Sequence, residues 1–304
     1  MVKFLKDIRV NRYVYVLMLP AILFMLVFSY FPLSGYILAF KEFSAAKGIF
    51  RSKFVGFENF KFFFMGGDWL HVTVNTILLN GLFIVFGIGF AVFLAVTLNE
   101  FRSKLAKRTL QSGIFLPYFV SWLVINQMVY SLLATENGMI NRFLLDMGYN
   151  RISFYSNPQY WRFFLTFIYI WKFSGYFSVI FIGAISSIDP TFYESAAIDG
   201  ASRLNMAIYI TLPLITRTIV MMVLLAVGRI FYGDFGMIYG IIGDNSLLYQ
   251  VTDVIDTYAF RAMRNLSNFS MSSAITLYQS LLGIVAVTIF NRVGKVVDPQ
   301  ARLF

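Results

Sequence analysis

From residue 13 to residue 40 the chain runs 28 residues without one charged side chain. Such a run has few folds open to it. As a helix rising about 1.5 Å per residue it covers roughly 42 Å, enough to cross a bilayer while tilted or bent at Pro20 and Pro32. It is also longer than the apolar core of a signal peptide, about 7–15 residues, so we read an uncleaved first span behind Lys3, Lys6, Arg9 and Arg12. Five further apolar runs cover residues 72–99, 109–135, 163–188, 219–243 and 266–290. With 59% hydrophobic residues, 13% charged ones and a mean hydropathy of +0.71, the chain lacks the polar surface that a soluble domain of 304 residues needs. The fold class predicted is all-α integral membrane with six transmembrane helices. No internal repeat or linker divides residues 1–304, so a single domain is expected.

Several functions are excluded by what the chain lacks. There is no Cys, hence no disulfide or thiolate site, and the one His, His71, falls at a span boundary with no role assigned. No Gly-rich Lys-Ser/Thr phosphate loop is present, so the chain does not bind ATP in the usual way. The net charge of +10 is not gathered into a cluster dense enough for nucleic acid. Two classes compete with an energised permease. A secondary transporter is disfavoured by six spans without a repeat, and a membrane-embedded enzyme by the shortage of His and acids at bilayer depth.

Lys and Arg set the orientation. With the N-terminus inside, inner segments hold 13 of them and the longer outer loops hold 10, favouring a cytoplasmic N-terminus and C-terminus. The first outer loop is itself basic, and its stretch from Gly56 to Phe64 has an aromatic face that reads as an interfacial helix.

The polar segment 189–213 then lies in the cytoplasm, and it carries dense helix punctuation. Asp189 can cap the first amides, Pro190 suits the first helical position, and Gly200 supplies a stop. Ser202 can cap a second short helix that Pro213 ends or bends. Glu194-Ser195-Ala196, then Gly200, then Ile210-Thr211-Leu212-Pro213, resembles the EAA motif of permease subunits in binding-protein-dependent ABC importers. One core position departs, Ser195 for the first alanine, and it stays small. Asp199 and Ala201 beside Gly200 match the sugar-transporting branch. Together with the Phe-Ser-Tyr-Phe-Pro segment of the first span and the Gly56–Phe60 stretch, the chain is most similar to oligosaccharide and polysaccharide permeases, including lipo-oligosaccharide and alginate types.

That resemblance implies a type I importer permease fold in a bacterial inner membrane, with 189–213 as a coupling helix docked on an ATPase. Glu194, Ser195, Ala196, Ala197, Asp199, Gly200, Ile210, Leu212 and Pro213 carry the coupling. The implied partners are a second, homologous permease, two ATPase subunits and an extracytoplasmic solute-binding protein, around a carbohydrate substrate. No cofactor is expected here, ATP and Mg being bound by the partner ATPase, and no catalysis.

Charges inside the apolar runs mark a candidate substrate path. Lys172 and Asp234 each lie about nine residues from the outer end of their spans, roughly 13 Å deep, so they could pair. Arg229, five residues from Asp234, would then face about 140° away from it on an unbroken helix. A polar path and a structural ion pair both fit. The unmatched cation calls either for an anionic substrate, such as an alginate-type fragment, or for a carbonyl or acid on the companion permease. Asn126, Gln127, Tyr130, Trp171, Tyr232 and Gln279 are weaker path candidates.

Overall fold

The computed structural model describes residues 10–101 and 103–297 of the chain. Lys3, Lys6, Arg9, Arg102, Asp298 and Arg302, on which part of the charge argument rests, lie outside them. Among the described residues five helices are long and apolar enough to span a membrane, six if a pair bent by 96° is counted as one span. We number the elements α1 (Arg12–Phe40), α2 (Glu58–Met65), α3 (Asp68–Asn99), α4 (Lys104–Phe119) and α5 (Trp122–Leu133). They continue as α6 (Met139–Asp146), α7 (Trp161–Ser186), α8 (Thr191–Ile198), α9 (Arg203–Val227), α10 (Phe235–Ile242), α11 (Ile255–Arg264) and α12 (Phe269–Val297). The chain packs as two compact units.

The first unit comprises residues 1–66 and 259–278. No side chain between Arg12 and Tyr30 is buried in it, as suits a helix made for lipid or for another chain. After α1 a two-residue hairpin pairs Lys41 with Phe54 and Glu42 with Lys53. Lys41 is buried, and its ammonium satisfies the carbonyls of Ile49 (3.1 Å) and Phe50 (2.7 Å), groups that the short helix Gly48–Arg51 leaves without partners. The predicted interfacial helix is α2. It buries Phe63 against the ring of Tyr278, while Phe62 stays exposed.

The second unit comprises residues 67–258 and 279–304. Its spine is the parallel pair α3 and α7, in contact along most of their length, from Asn75 against Arg162 past Phe83 against Tyr169 to the cluster that holds Ala95 and Ile185. Small residues allow this. Ala91 and Ala95 are fully buried, and a Cβ at Gly87 would come within 2.9 Å of the Tyr169 ring. The same logic brings α4 onto α7, where a Cβ at Gly175 would overlap the Ile114 carbonyl. One apolar cluster, with Leu79, Phe83, Trp161 and Met237, fills one end of the unit. A second, with Ile88, Phe181, Ile185 and Ile215, fills the other.

Three departures from the sequence reading concern the spans. The run 109–135 is not one helix, because the chain turns by 96° between α4 and α5. The fifth span is not 219–243. The helix runs from Arg203 to Val227 and stops there, and residues 228–234 are unwound before α10 begins. Pro213 therefore does not end the helix that Ser202 caps. A π-helical stretch at Ala207–Thr211 widens the turn ahead of it, so the missing N–H and the ring are taken in without a break. Pro32 repeats the device in α1, behind the π-helical stretch Leu26–Tyr30.

Candidate functional site

Two places in the second unit carry the polar residues that the sequence singles out. The first is a cavity of about 530 Å³ bounded by α3, α7, α9 and the unwound segment 228–234. Backbone without helix is tolerated at such depth only where it is satisfied by protein or lines a cavity, and here it does both. Asn80 of α3, nearly buried, donates its amide to the carbonyls of Ile230 (2.8 Å) and Tyr232 (3.2 Å). The unwinding also turns Arg229 and Asp234 onto one cavity, where an unbroken helix would have held them on opposing faces. Tyr169, stacked on Phe83 at 4.6 Å, and Tyr232 complete its polar lining, and Phe173 and Phe177 supply aromatic wall.

Asp234 has a second task. Its carboxylate accepts from the Met237 N–H at 3.1 Å, capping α10, and the Trp122 side chain lies beside it. Arg229 is exposed to the cavity, and its guanidinium makes no hydrogen bond or ion pair among the described residues.

Lys172 does not pair with Asp234. Its ammonium turns instead to the break between α4 and α5, donating to the carbonyls of Tyr118 (3.1 Å) and Val120, with that of Pro117 at 3.4 Å. The Pro117 carbonyl also accepts from the Val120 N–H at 3.2 Å, whereas the 96° turn leaves those of Tyr118 and Val120 to the ammonium, and a cation is the natural cap for a helix C-terminus. The Trp122 ring lies 4.8 Å from the ammonium, so the indole bridges Lys172 and Asp234.

The other predicted path residues scatter. Asn126 lies against Gly240 and ties α5 to α10, and Gln127 lines a separate apolar groove with Leu123 and Met128. Trp171 is partly exposed and does not line the cavity, and the Tyr130 ring lies tilted against that of Tyr155. Gln279 is buried, with its amide on the Phe231 carbonyl. Sequence reasoning missed Asn80 and Tyr169. Asn80 had a readable signal, a carboxamide inside a mostly apolar run.

The second place is the segment 189–213. Asp189 accepts from the Thr191 N–H at 2.9 Å, a bond that holds its carboxyl below the usual carboxylate range. Helix α8 ends in a Schellman turn, with Gly200 N–H on the Ala197 carbonyl and Ala201 N–H on the Ala196 carbonyl. Gly200 has φ +78°, open only to residues that tolerate the left-handed region. Ser202 caps the next helix through the Asn205 N–H. Glu194, Ser195, Ala197 and Asp199 are exposed, as are Phe192 and, at 87%, Ile198. Ile210 and Leu212 are half-buried and Pro213 is exposed. Tyr193 reaches across to Thr211, hydroxyl to hydroxyl at 2.9 Å, joining α8 to the π-helical turn of α9.

Residues 87–302 match the family described as binding-protein-dependent transport system inner membrane component. Protein LplB of Bacillus subtilis is 33% identical, over 95% of this chain and 91% of its own. YteP of the same organism, a polygalacturonan/rhamnogalacturonan transport system permease protein, is 31% identical over 94% and 88%. A solved bacterial ABC transporter involved in import of the acidic polysaccharide alginate has a chain that superposes with a TM-score of 0.88 at 30% identity, covering 97% of this chain and 99% of that one. The chain thus belongs to the binding-protein-dependent transport system inner membrane components, as a multi-pass permease subunit of an ABC importer whose ATPase is a separate subunit.

Proposed function

We propose that this permease imports oligosaccharides or polysaccharide fragments, acidic ones among them, through the cavity at the unwound segment 228–234. The observation that carries the reading is Arg229, a cation that makes no hydrogen bond or ion pair among the described residues, set in a cavity that Tyr169, Tyr232, Phe173 and Phe177 also line. A guanidinium matches a carboxylate in a forked hydrogen bond, and aromatic rings stack on sugar faces. The names of its relatives, a polygalacturonan/rhamnogalacturonan permease and an alginate importer, support the same class of cargo.

The test is transport of matched neutral and uronic-acid oligosaccharides by the reconstituted importer. Arg229→Gln should lower transport of the acidic substrate by about tenfold or more, the scale of one charge-assisted hydrogen bond, and leave the neutral one within about twofold. Equal loss of both would refute the charge role.

In the same proposal, segment 189–213 is the dock for the ATPase, with Glu194 anchoring a partner cation and the small Ser195, Ala196 and Ala197 allowing close approach. Exposed Phe192 and Ile198 supply the apolar part of that face, and Tyr193 passes its movement to α9. A second permease, two ATPase subunits and an extracytoplasmic binding protein complete the importer, and both termini are cytoplasmic.

Orientation is testable with single cysteines, because the chain has no native Cys. Exposed Ser156 and Ser246 replaced by Cys should react with an impermeant thiol reagent from outside, and Ser202→Cys only after the membrane is opened. Outside labelling of Ser202→Cys would invert the topology.

A further inference from the structure

The unwound segment is held from a second side by a carboxylate that forms no ion pair among the described residues. Asp256, near the start of α11, accepts from the Gly233 N–H at 2.7 Å and from the Gln279 amide at 2.9 Å, through the same oxygen. That amide also donates to the Phe231 carbonyl at 2.7 Å. With Asn80 on the Ile230 and Tyr232 carbonyls, side chains from α3, α11 and α12 hold four consecutive residues, 230–233. Gly233 fits this grip closely, since a Cβ there would stand 3.1 Å from both the Asp256 carboxylate and Val254. A surface loop needs no such grip. A segment that must hold Arg229 and Asp234 at fixed positions across a cavity does.

We propose that Asp256 is a positioning residue for transport. By seating Gly233 and orienting the Gln279 amide, it fixes the spacing of Arg229, Tyr232 and Asp234, and so sets which sugars the cavity accepts. This rests on the cavity being the substrate path. The carboxylate acts as a hydrogen-bond acceptor, not as a charge facing substrate, and that distinction makes the idea testable. An asparagine at 256 can present its carbonyl oxygen to the same two donors, whereas alanine presents nothing.

In the complete importer with its binding protein, Asp256→Asn should stay within about twofold of wild type in transport. Asp256→Ala should raise the half-saturating substrate concentration about tenfold, the equivalent of one buried hydrogen bond, with the amount of assembled complex within about twofold. Gln279→Leu should do the same, and the double variant should be no worse than either single one, because both act through one network. A cysteine at Tyr232 in the otherwise Cys-free chain reports the segment directly. Its thiol reactivity should change on adding Asp256→Ala and not on adding Asp256→Asn.

Damage by Asp256→Asn equal to that by Asp256→Ala would overturn the proposal in favour of a charge role. So would unchanged reactivity at position 232, multiplicative effects in the double variant, or a loss of transport only in proportion to lost protein. If thiol reactivity shifts as expected while substrate affinity does not, the positioning stands and the cavity is not the path.

Discussion

Gly200→Val should abolish substrate-stimulated ATP hydrolysis and transport while the subunit still accumulates in the membrane. Gly200 closes the Schellman turn of α8 at φ +78°. No atom stands within 4 Å of where a Cβ would be, so a larger side chain meets no clash. The penalty is in the backbone. A residue with a Cβ held in the left-handed region loses about 1–2 kcal/mol, and a β-branched one more. The cheapest relief is to abandon φ > 0, which breaks the bonds from Gly200 and Ala201 to the carbonyls of Ala197 and Ala196 and re-aims α8 relative to α9. The proposed dock, which needs Glu194, Phe192 and Ile198 in one orientation, does not survive that. Gly200→Asn is the control, since asparagine enters the left-handed region readily, and it should retain most of the activity. The measurements are subunit quantity in purified membranes and ATP hydrolysis by the assembled complex with loaded binding protein. Normal coupled hydrolysis by Gly200→Val would remove 189–213 from the coupling role.

The punctuation of that segment was legible because capping is local. Asp189, Gly200 and Ser202 each act within a few residues of themselves, so composition and spacing suffice to place their turns. What failed were inferences that assumed an unbroken helix. Residues 203–243 are apolar almost throughout, and hydropathy cannot mark where the chain stops winding at Val227. The signal that was overweighted is Pro213, which a π-helical turn absorbs. The break at 120–121 had one hint, Pro117, inside a run that otherwise reads as continuous. Depth and facing angles for Lys172, Arg229 and Asp234 came from the same straight-helix arithmetic. Each unwound segment frees backbone groups, and those groups, which no pattern in the sequence displays, are what recruit Lys172, Asn80 and Gln279.

The fate of Lys172 separates the two intramembrane cations most sharply. It is 5% exposed, and its ammonium is the cap on the Pro117, Tyr118 and Val120 carbonyls, held against the rings of Trp122 and Phe173. Lys172→Met keeps the length and the apolar stem and removes all three bonds. The Pro117 carbonyl keeps the Val120 N–H, but those of Tyr118 and Val120 are stranded at about 1–3 kcal/mol each, so the break between α4 and α5 loses several kcal/mol, a large share of a domain's usual margin of about 5–15. The expected outcome is a several-fold fall in folded subunit, with transport of neutral and acidic sugars falling together and in proportion. Lys172→Gln should recover part of it, because an amide still offers two donors to the same carbonyls. Arg229→Gln should show the opposite pattern, full quantity and a loss confined to the acidic substrate. Should Lys172→Met accumulate normally and lose only acidic transport, the ammonium would belong to the path, and the cap at the α4–α5 break would be incidental. The contrast follows from what each cation touches, since Lys172 is enclosed by backbone oxygens and aromatic faces, whereas Arg229 opens onto a cavity large enough to admit a sugar.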